Sequence, residues 1–408
     1  MSGASAGPRT PGARPTGGFD PYGLRPRGSM VAPLLSLVGL IVIAIVTLSL
    51  FNGHLPTAAA PANGGQGPVA GRTPTPSNVI DVNPHADVPG SIVYVKAGNL
   101  WIQSGKSTRM ITNAGTDTMP SWSPDGKWIY FIETRPSVGT YALPGELPSR
   151  YTENYPVVTR IHPDGTGRQT VKSGLFKNTR GTWFSWIRQP VLSPDGRTLA
   201  FCSDGPDPSN SDVVLQLYDL QTRKSTIPRL PENPPLGHQD PAWSPDGRQL
   251  LYVKNGREGA RGAPSIMRYD VRTKRVTALT GPGYTSPAWS PDGSYVVVTK
   301  TGTLGTDIVI LDSRNGNELL RVTDDGRSWS PVWSPKGDAI SYLHINGQVV
   351  DLLYVGLRGT APRWTRGDII PLTDLGGLDP GSRPSWYLAG AQQPAPSPST
   401  AASPSPSQ

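Results

Sequence analysis

Trp243-Ser244-Pro245-Asp246-Gly247, followed by Arg248-Gln249 and the apolar run Leu250-Leu251-Tyr252-Val253, is the stretch from which the fold can be read. Ser at the first turn position, Pro at the second and Gly at the fourth match a type I turn. Gly then takes a positive φ and forms the bulge that lets two strands twist together. The phrase is the tip of a β-hairpin.

The phrase recurs as Trp122-Ser123-Pro124-Asp125-Gly126, Leu192-Ser193-Pro194-Asp195-Gly196, Trp289-Ser290-Pro291-Asp292-Gly293 and Trp333-Ser334-Pro335-Lys336-Gly337. Successive serines stand 70, 51, 46 and 44 residues apart. Periods of this size indicate propellers or solenoids. A short apolar strand follows every turn, as in Tyr295-Val296-Val297-Val298. A second hairpin comes later in each unit, as in Ile308–Leu311 with Leu319–Val322. Two hairpins per unit make a four-stranded blade.

Five phrases leave the ring one blade short. Pro384-Ser385-Trp386 repeats the strand that precedes the turn elsewhere, as in Pro287-Ala288-Trp289, yet has no hairpin after it. The missing strands stand at the other end: Ile92–Val95, Asn99–Ile102 and Thr108–Ile111. Pairing Pro384–Trp386 beside Ile92–Val95 puts both ends in one blade and closes the ring at six. Closure also hides sheet edges that invite aggregation. The expected fold is all-β, a six-bladed β-propeller over residues 88–390.

The W-S-P-D-G phrase, with Pro two places before the Trp, resembles the WD-repeat-like blades of TolB-like six-bladed propellers. Related repeats occur in the propeller domains of dipeptidyl peptidases and tricorn-type proteases. The resemblance spans residues 88–390 and implies the fold, and through it a protein-interaction module of the bacterial cell envelope. Two copies depart from the pattern, with Leu192 in place of Trp and Lys336 in place of Asp. A long insertion, about residues 135–156, follows the first phrase.

Outside the repeats the composition changes. The chain holds 47 Gly and 45 Pro in 408 residues and only 17% charged residues, which excludes an all-helical protein. Residues 1–29 carry Arg9, Arg14, Arg25 and Arg27 against Asp20, a short disordered cytoplasmic tail. Met30 to Phe51 carry no charge, enough for a helix across a hydrocarbon core of ~30 Å. The arginines precede this segment and none follows until Arg72, so the positive-inside rule puts the N-terminus in the cytoplasm and the rest outside. The expectation is a single-pass plasma membrane protein with an extracytoplasmic propeller. The competing reading is a leader cleaved near Ala58-Ala59-Ala60, but the apolar core exceeds the ~7–15 residues of a signal peptide. Residues 52–87 read as a flexible linker and 391–408 as a Pro/Ser-rich disordered tail. The net charge of +8 is not concentrated in a basic stripe, which excludes nucleic acid as a partner.

Few residues invite chemistry. The turn aspartates read as local backbone acceptors, since Lys336 replaces one without breaking the pattern. The repeated tryptophans read as packing between neighbouring blades. Of the five histidines His54 and His85 lie in the linker, and His162, His238 and His344 fall at unrelated repeat positions, so no metal site is expected. Asp324-Asp325-Gly326 lacks the spaced acidic ligands of a calcium loop. The only G-x-S-x-G match, Gly3 to Gly7, lies in the tail without a strand before it, and no HExxH occurs. Cys202 follows a strand and reads as a small buried residue.

What remains is the channel mouth, at the residues just before each Pro-x-Trp strand. Met119, Arg188, Gln189, His238, Gln239, Asp240, Tyr284, Trp329 and Arg383 form the candidate binding set, rich in the types that anchor interfaces. The sequence thus reads as a non-enzymatic, cofactor-free module binding an envelope protein or peptide. The alternative is a propeller enzyme, lyase- or hydrolase-like, acting on an envelope glycan or peptide.

Overall fold

The structure is a computed structural model describing residues 80–82, 87–141, 147, 149–178, 181–205, 212–230, 237–256 and 263–390. The expected tail 1–29, membrane segment 30–51 and C-terminal tail 391–408, and most of the linker 52–87, lie outside the described residues. Among the described residues no helix is long and apolar enough to cross a membrane.

Six antiparallel sheets form the propeller. Blade 1 runs outward from Ser385–Tyr387 through Val88–Lys96, Asn99–Gly105 and Ser107–Met110. Blades 2 to 6 begin with the innermost strands Asp117–Trp122, Ile187–Leu192, His238–Trp243, Tyr284–Trp289 and Ser328–Trp333. Neighbouring innermost strands touch around a closed circle. The closure takes the expected form, with Ile92 opposite Trp386 and Val93 opposite Ser385.

One boundary moves. Ile80–Val82, inside the expected linker, pairs with Ser107–Arg109 as a fifth, outermost strand of blade 1. Its β-branched residues flanking a single Asp suit an edge strand, which covers the backbone groups of Ser107–Met110.

The core lies in the seams between blades. Six apolar clusters occupy the six seams, each drawing on two neighbouring sheets. The second strand of each blade is covered on both faces, which is why it reads as an unbroken apolar run. Side chains then alternate between seams. Val296 and Val298 pack toward blade 4, whereas Val297 packs toward blade 6. Leu250 and Tyr252 face blade 3, and Leu251 and Val253 face blade 5.

The insertion at 135–156 is a continuation of blade 2. Ile129–Tyr141 and Ser149–Ile161 pair in unbroken register, and a further hairpin, Leu175–Asn178 with Gly181–Phe184, joins at Tyr141.

Candidate functional site: a tryptophan- and proline-lined chamber

The five turns gather on one face because each joins an innermost strand to the second strand of its blade. In four copies the Ser hydroxyl donates to the Asp two places on, at 2.5–2.7 Å, and accepts the N–H of the residue five places on, at 2.9 Å. The same Asp accepts the N–H two residues later. Burial raises the pKa of Asp125 and Asp292, but these hydrogen bonds outweigh it and leave both carboxyls below the ordinary range. In the fifth copy Ser334 donates instead to Asp338 at 2.7 Å, so Lys336 is tolerated because the acceptor has moved two places along. These carboxylates lock turns and are committed to them.

Partway along the innermost strands the backbone departs from regular pairing. Register shifts between Thr118 and Ser121, and at the equivalent place in blades 3 to 6. The residue before each proline takes a left-handed φ of 51–55°: Met119, Gln189, Asp240, Ser286 and Ser330. None is glycine, so the strain recurs five times and is held by neighbours. The Met119 N–H donates to Ser382 Oγ, Gln189 N–H to Met119 Sδ, Asp240 N–H to Gln189 Oε1, and Ser286 N–H to Asp240 Oδ2. Blade to blade, these bonds form a belt across four consecutive seams.

Between belt and turns lies a cavity of about 330 Å³. Its wall holds Trp122, Trp243, Trp289, Trp333 and Trp386, with prolines from the strands and from the turns. The residue after the strand proline is small or β-branched in all six blades, Ser121, Val191, Ala242, Ala288, Val332 and Ser385, with Leu192 standing in for Trp after Val191, and all six line this space. The tryptophans therefore do two things. Trp243 and Trp289 donate their indole N–H to the preceding blade, at Val191 O (3.3 Å) and Ala242 O (3.1 Å), which is the expected packing role. They also wall the chamber, a role the packing argument did not include.

Arg383 reaches into this space from blade 1. Its Nη1 donates to Pro287 O at 2.8 Å, so the side chain passes blade 6 and ends against blade 5. Burial pulls its pKa down while Asp240 opposes. The residue as a whole is half-buried and lines the chamber.

The nine candidate residues thus separate. Met119, Gln189, Asp240 and Arg383 come together at the belt and chamber floor. His238 is only 2% exposed; its Nδ1 accepts the Leu215 N–H at 3.2 Å and its ring meets Tyr252 edge-on at 4.8 Å. Gln239 bonds Asn255 within blade 4. Tyr284 donates to Glu318 at 2.5 Å beneath Lys300, Trp329 donates to Pro380 O at 3.0 Å, and exposed Arg188 lies 5.9 Å from the Trp186 ring. These five hydrogen-bond or stack locally and do not converge.

Sequence reasoning missed the chamber wall itself, although the small or β-branched residue after the strand proline signals it in every blade. It also missed Asp117, fully buried, where Arg168 holds both carboxylate oxygens at 2.6 and 3.2 Å. Burial raises the Asp117 pKa against that pairing. No local motif marks the pair, since 51 residues separate the partners. Among the described residues no group of three or more His, Cys, Asp or Glu gathers as a metal ion requires.

Residues 169–364 match the TolB beta propeller domain. The chain is similar in structure to TolB from Acinetobacter baumannii, with a TM-score of 0.52 and 21% identity over 74% of this chain and 67% of that one. It is 30% identical over 162 residues to an uncharacterized protein of Agrobacterium fabrum, covering 38% of this chain and 45% of the relative. It is 29% identical over 162 residues to dipeptidyl-peptidase 5 of Aspergillus fumigatus, covering 20% of that enzyme. The aligned stretch spans less than half of either curated relative.

Proposed function

We propose that this chain, a TolB-like six-bladed propeller, is a non-enzymatic binding module that takes a segment of a partner protein into the chamber on its turn face. The observation that carries the reading is the chamber's make-up. A concave space of about 330 Å³ walled by five tryptophans lies within the usual range of ligand pockets, about 300–1,000 Å³. Tryptophan is among the residues that supply most binding energy at interfaces, and aromatic-lined grooves favour extended, proline-rich chain. The tight turns around the mouth hold it in shape before a ligand arrives, which lowers the cost of association.

The setting belongs to the same proposal. The uncharged stretch from Met30 to Phe51, with four arginines before it, tethers the propeller outside the plasma membrane of a bacterial envelope. The similarity to a dipeptidyl-peptidase reaches only a fifth of that enzyme and brings no activity with it.

The test uses the full chain as bait in solubilised envelope, beside an Ala288→Phe variant that fills the chamber and an Arg188→Glu variant on the belt side. A partner kept by the Arg188 variant and lost by the filled one supports docking in the chamber. A partner held equally by all three places the interface elsewhere. Extraction of envelope fractions at alkaline pH checks the tether. Release of the intact chain into the soluble fraction would overturn it.

A further inference from the structure

We infer that the chamber reads a carboxylate carried by an otherwise apolar peptide segment, with Arg383 as the reader. This rests on the docking reading above and names the chemistry of its ligand.

Arg383 is the one charged residue lining the chamber among the described residues. Everything else on the wall is tryptophan, proline, small aliphatic, serine, leucine or tyrosine. Of the five N–H donors of a guanidinium, one is used on Pro287 O, and no other hydrogen bond or ion pair to Arg383 occurs among the described residues. Its charge meets no carboxylate within ion-pair distance among the described residues, and most of its donors remain available to a ligand in the chamber, so the floor of the chamber is an incomplete site.

The nearby acid does not complete it. Asp240 influences Arg383 electrostatically, but its oxygens are already engaged. Oδ1 accepts from Gln189 Nε2, and Oδ2 accepts from Ser286 N at 3.0 Å and Ser286 Oγ at 3.1 Å. At the rim, the turn aspartates bond their own serines, and Asp125 and Asp246 also carry Lys127 at 3.6 Å and Arg248 at 3.9 Å. The rim charge is therefore offset at Asp125 and Asp246 but not at Asp195 and Asp292, which hold only neutral donors, while the floor presents a cation with donors to spare.

A carboxylate matches the guanidinium fork in shape as well as charge and can accept two parallel N–H bonds. Flanking apolar residues and prolines would meet the tryptophan and proline wall. The acid can be an internal Asp or Glu or a chain-terminal carboxylate; the chemistry is shared.

The full chain is titrated with acetyl-Pro-Leu-Glu-Pro-Leu-amide and its Gln counterpart, and with acetyl-Pro-Leu-Pro-Leu as free acid and as amide. Isovalerate and isovaleramide serve as minimal probes. Indole fluorescence and calorimetry report binding. The expected result is a preference of about tenfold or more for the acid in at least one peptide pair, the size of one charge-assisted hydrogen bond. Which pair shows it distinguishes an internal from a terminal acid. Arg383→Met should reduce the preference to within about twofold and Arg383→Lys should keep part of it, with melting curves checking the fold. If Arg383→Met does not fold, the acid–amide comparison on the unaltered protein decides. Peptides that bind equally as acid and amide overturn the carboxylate inference and leave the docking reading standing. Discrimination by isovalerate alone, with no peptide bound, keeps the anion site and sinks the peptide reading. Absence of binding by every probe overturns both.

Discussion

Ending the chain after Arg383 removes the innermost strand of blade 1 and opens the ring. The loss can be sized from the structure. Trp386 and Tyr387 are half-buried, and aromatic rings of this size cover about 150–250 Å² when wholly enclosed. Half that area at about 25 cal/mol per Å² is about 2–3 kcal/mol for each ring. The Trp386 indole bond to Pro89 O at 2.7 Å and the Trp122 N–H bond to Ser385 Oγ at 3.1 Å add about 1 kcal/mol apiece. The ladder to Ser91, Ile92 and Val93 and the stacking of Tyr387 on Trp122 at 5.3 Å are lost as well. The rings and these two bonds alone come to about 6–8 kcal/mol, comparable to the net stability of a whole domain, about 5–15 kcal/mol. The strand Val88–Lys96 would also be left as a bare edge that templates aggregation. A chain ending at Gly390 keeps the strand and serves as the reference. Light scattering after gel filtration, with thermal melting followed by circular dichroism, should show a monomer with one cooperative transition for the reference. The shorter chain should aggregate or melt broadly at far lower temperature. A shorter chain that stays monomeric and melts cooperatively at the reference temperature would refute the closure argument.

Five further outcomes are expected. Ser290→Ala removes both the donor to Asp292 and the acceptor of the Tyr295 N–H, and should lower stability by about 1–2 kcal/mol in denaturant titrations. Lys336→Asp should be near neutral, because Asp338 already accepts from Ser334. Asp125 and Asp292 have folded pKa values below their unfolded ones, so their contribution is present above about pH 4 and is lost as pH falls through the folded values. Asp117, raised by burial, acts in the opposite sense. Arg168→Met should cost about 3–5 kcal/mol near neutral pH by stranding that carboxylate, and melting scans should show the deficit shrinking in acid. A deficit that is flat from neutral to acid pH would mean that Arg168 acts through packing alone. Cys202 is fully buried and its thiol is pushed up by that burial, with Asp240 adding to the effect. It should resist an aromatic disulfide reagent in the native protein and react only on unfolding. Rapid labelling of native protein would show that the seam between blades 3 and 4 opens.

Much of the architecture was legible because it is written in short-range physics. A Ser-Pro-Asp-Gly turn and the short apolar run that follows it decide each hairpin within a dozen residues, and repetition then decides the blade. Closure at six followed by counting strands at the two ends, and the pairing of Ile92 with Trp386 agrees with it. The tertiary structure alone decided which face is concave and what stands in it. The Met119 N–H meets Ser382 across 263 residues, and Arg383 meets Pro287 across 96. Such contacts depend on where six separate strands place their ends around an axis, and no local pattern encodes that. His238 illustrates the same limit. Its position before an innermost strand suggested a mouth residue, yet the blade turns its ring onto Tyr252 in the interior. The blades follow from the chain's own order of residues, because turn chemistry and the apolar run behind each turn act between near neighbours. The assembled ring determined the chamber and placed Arg383 on its wall, because a channel belongs to all six blades and to none of them separately.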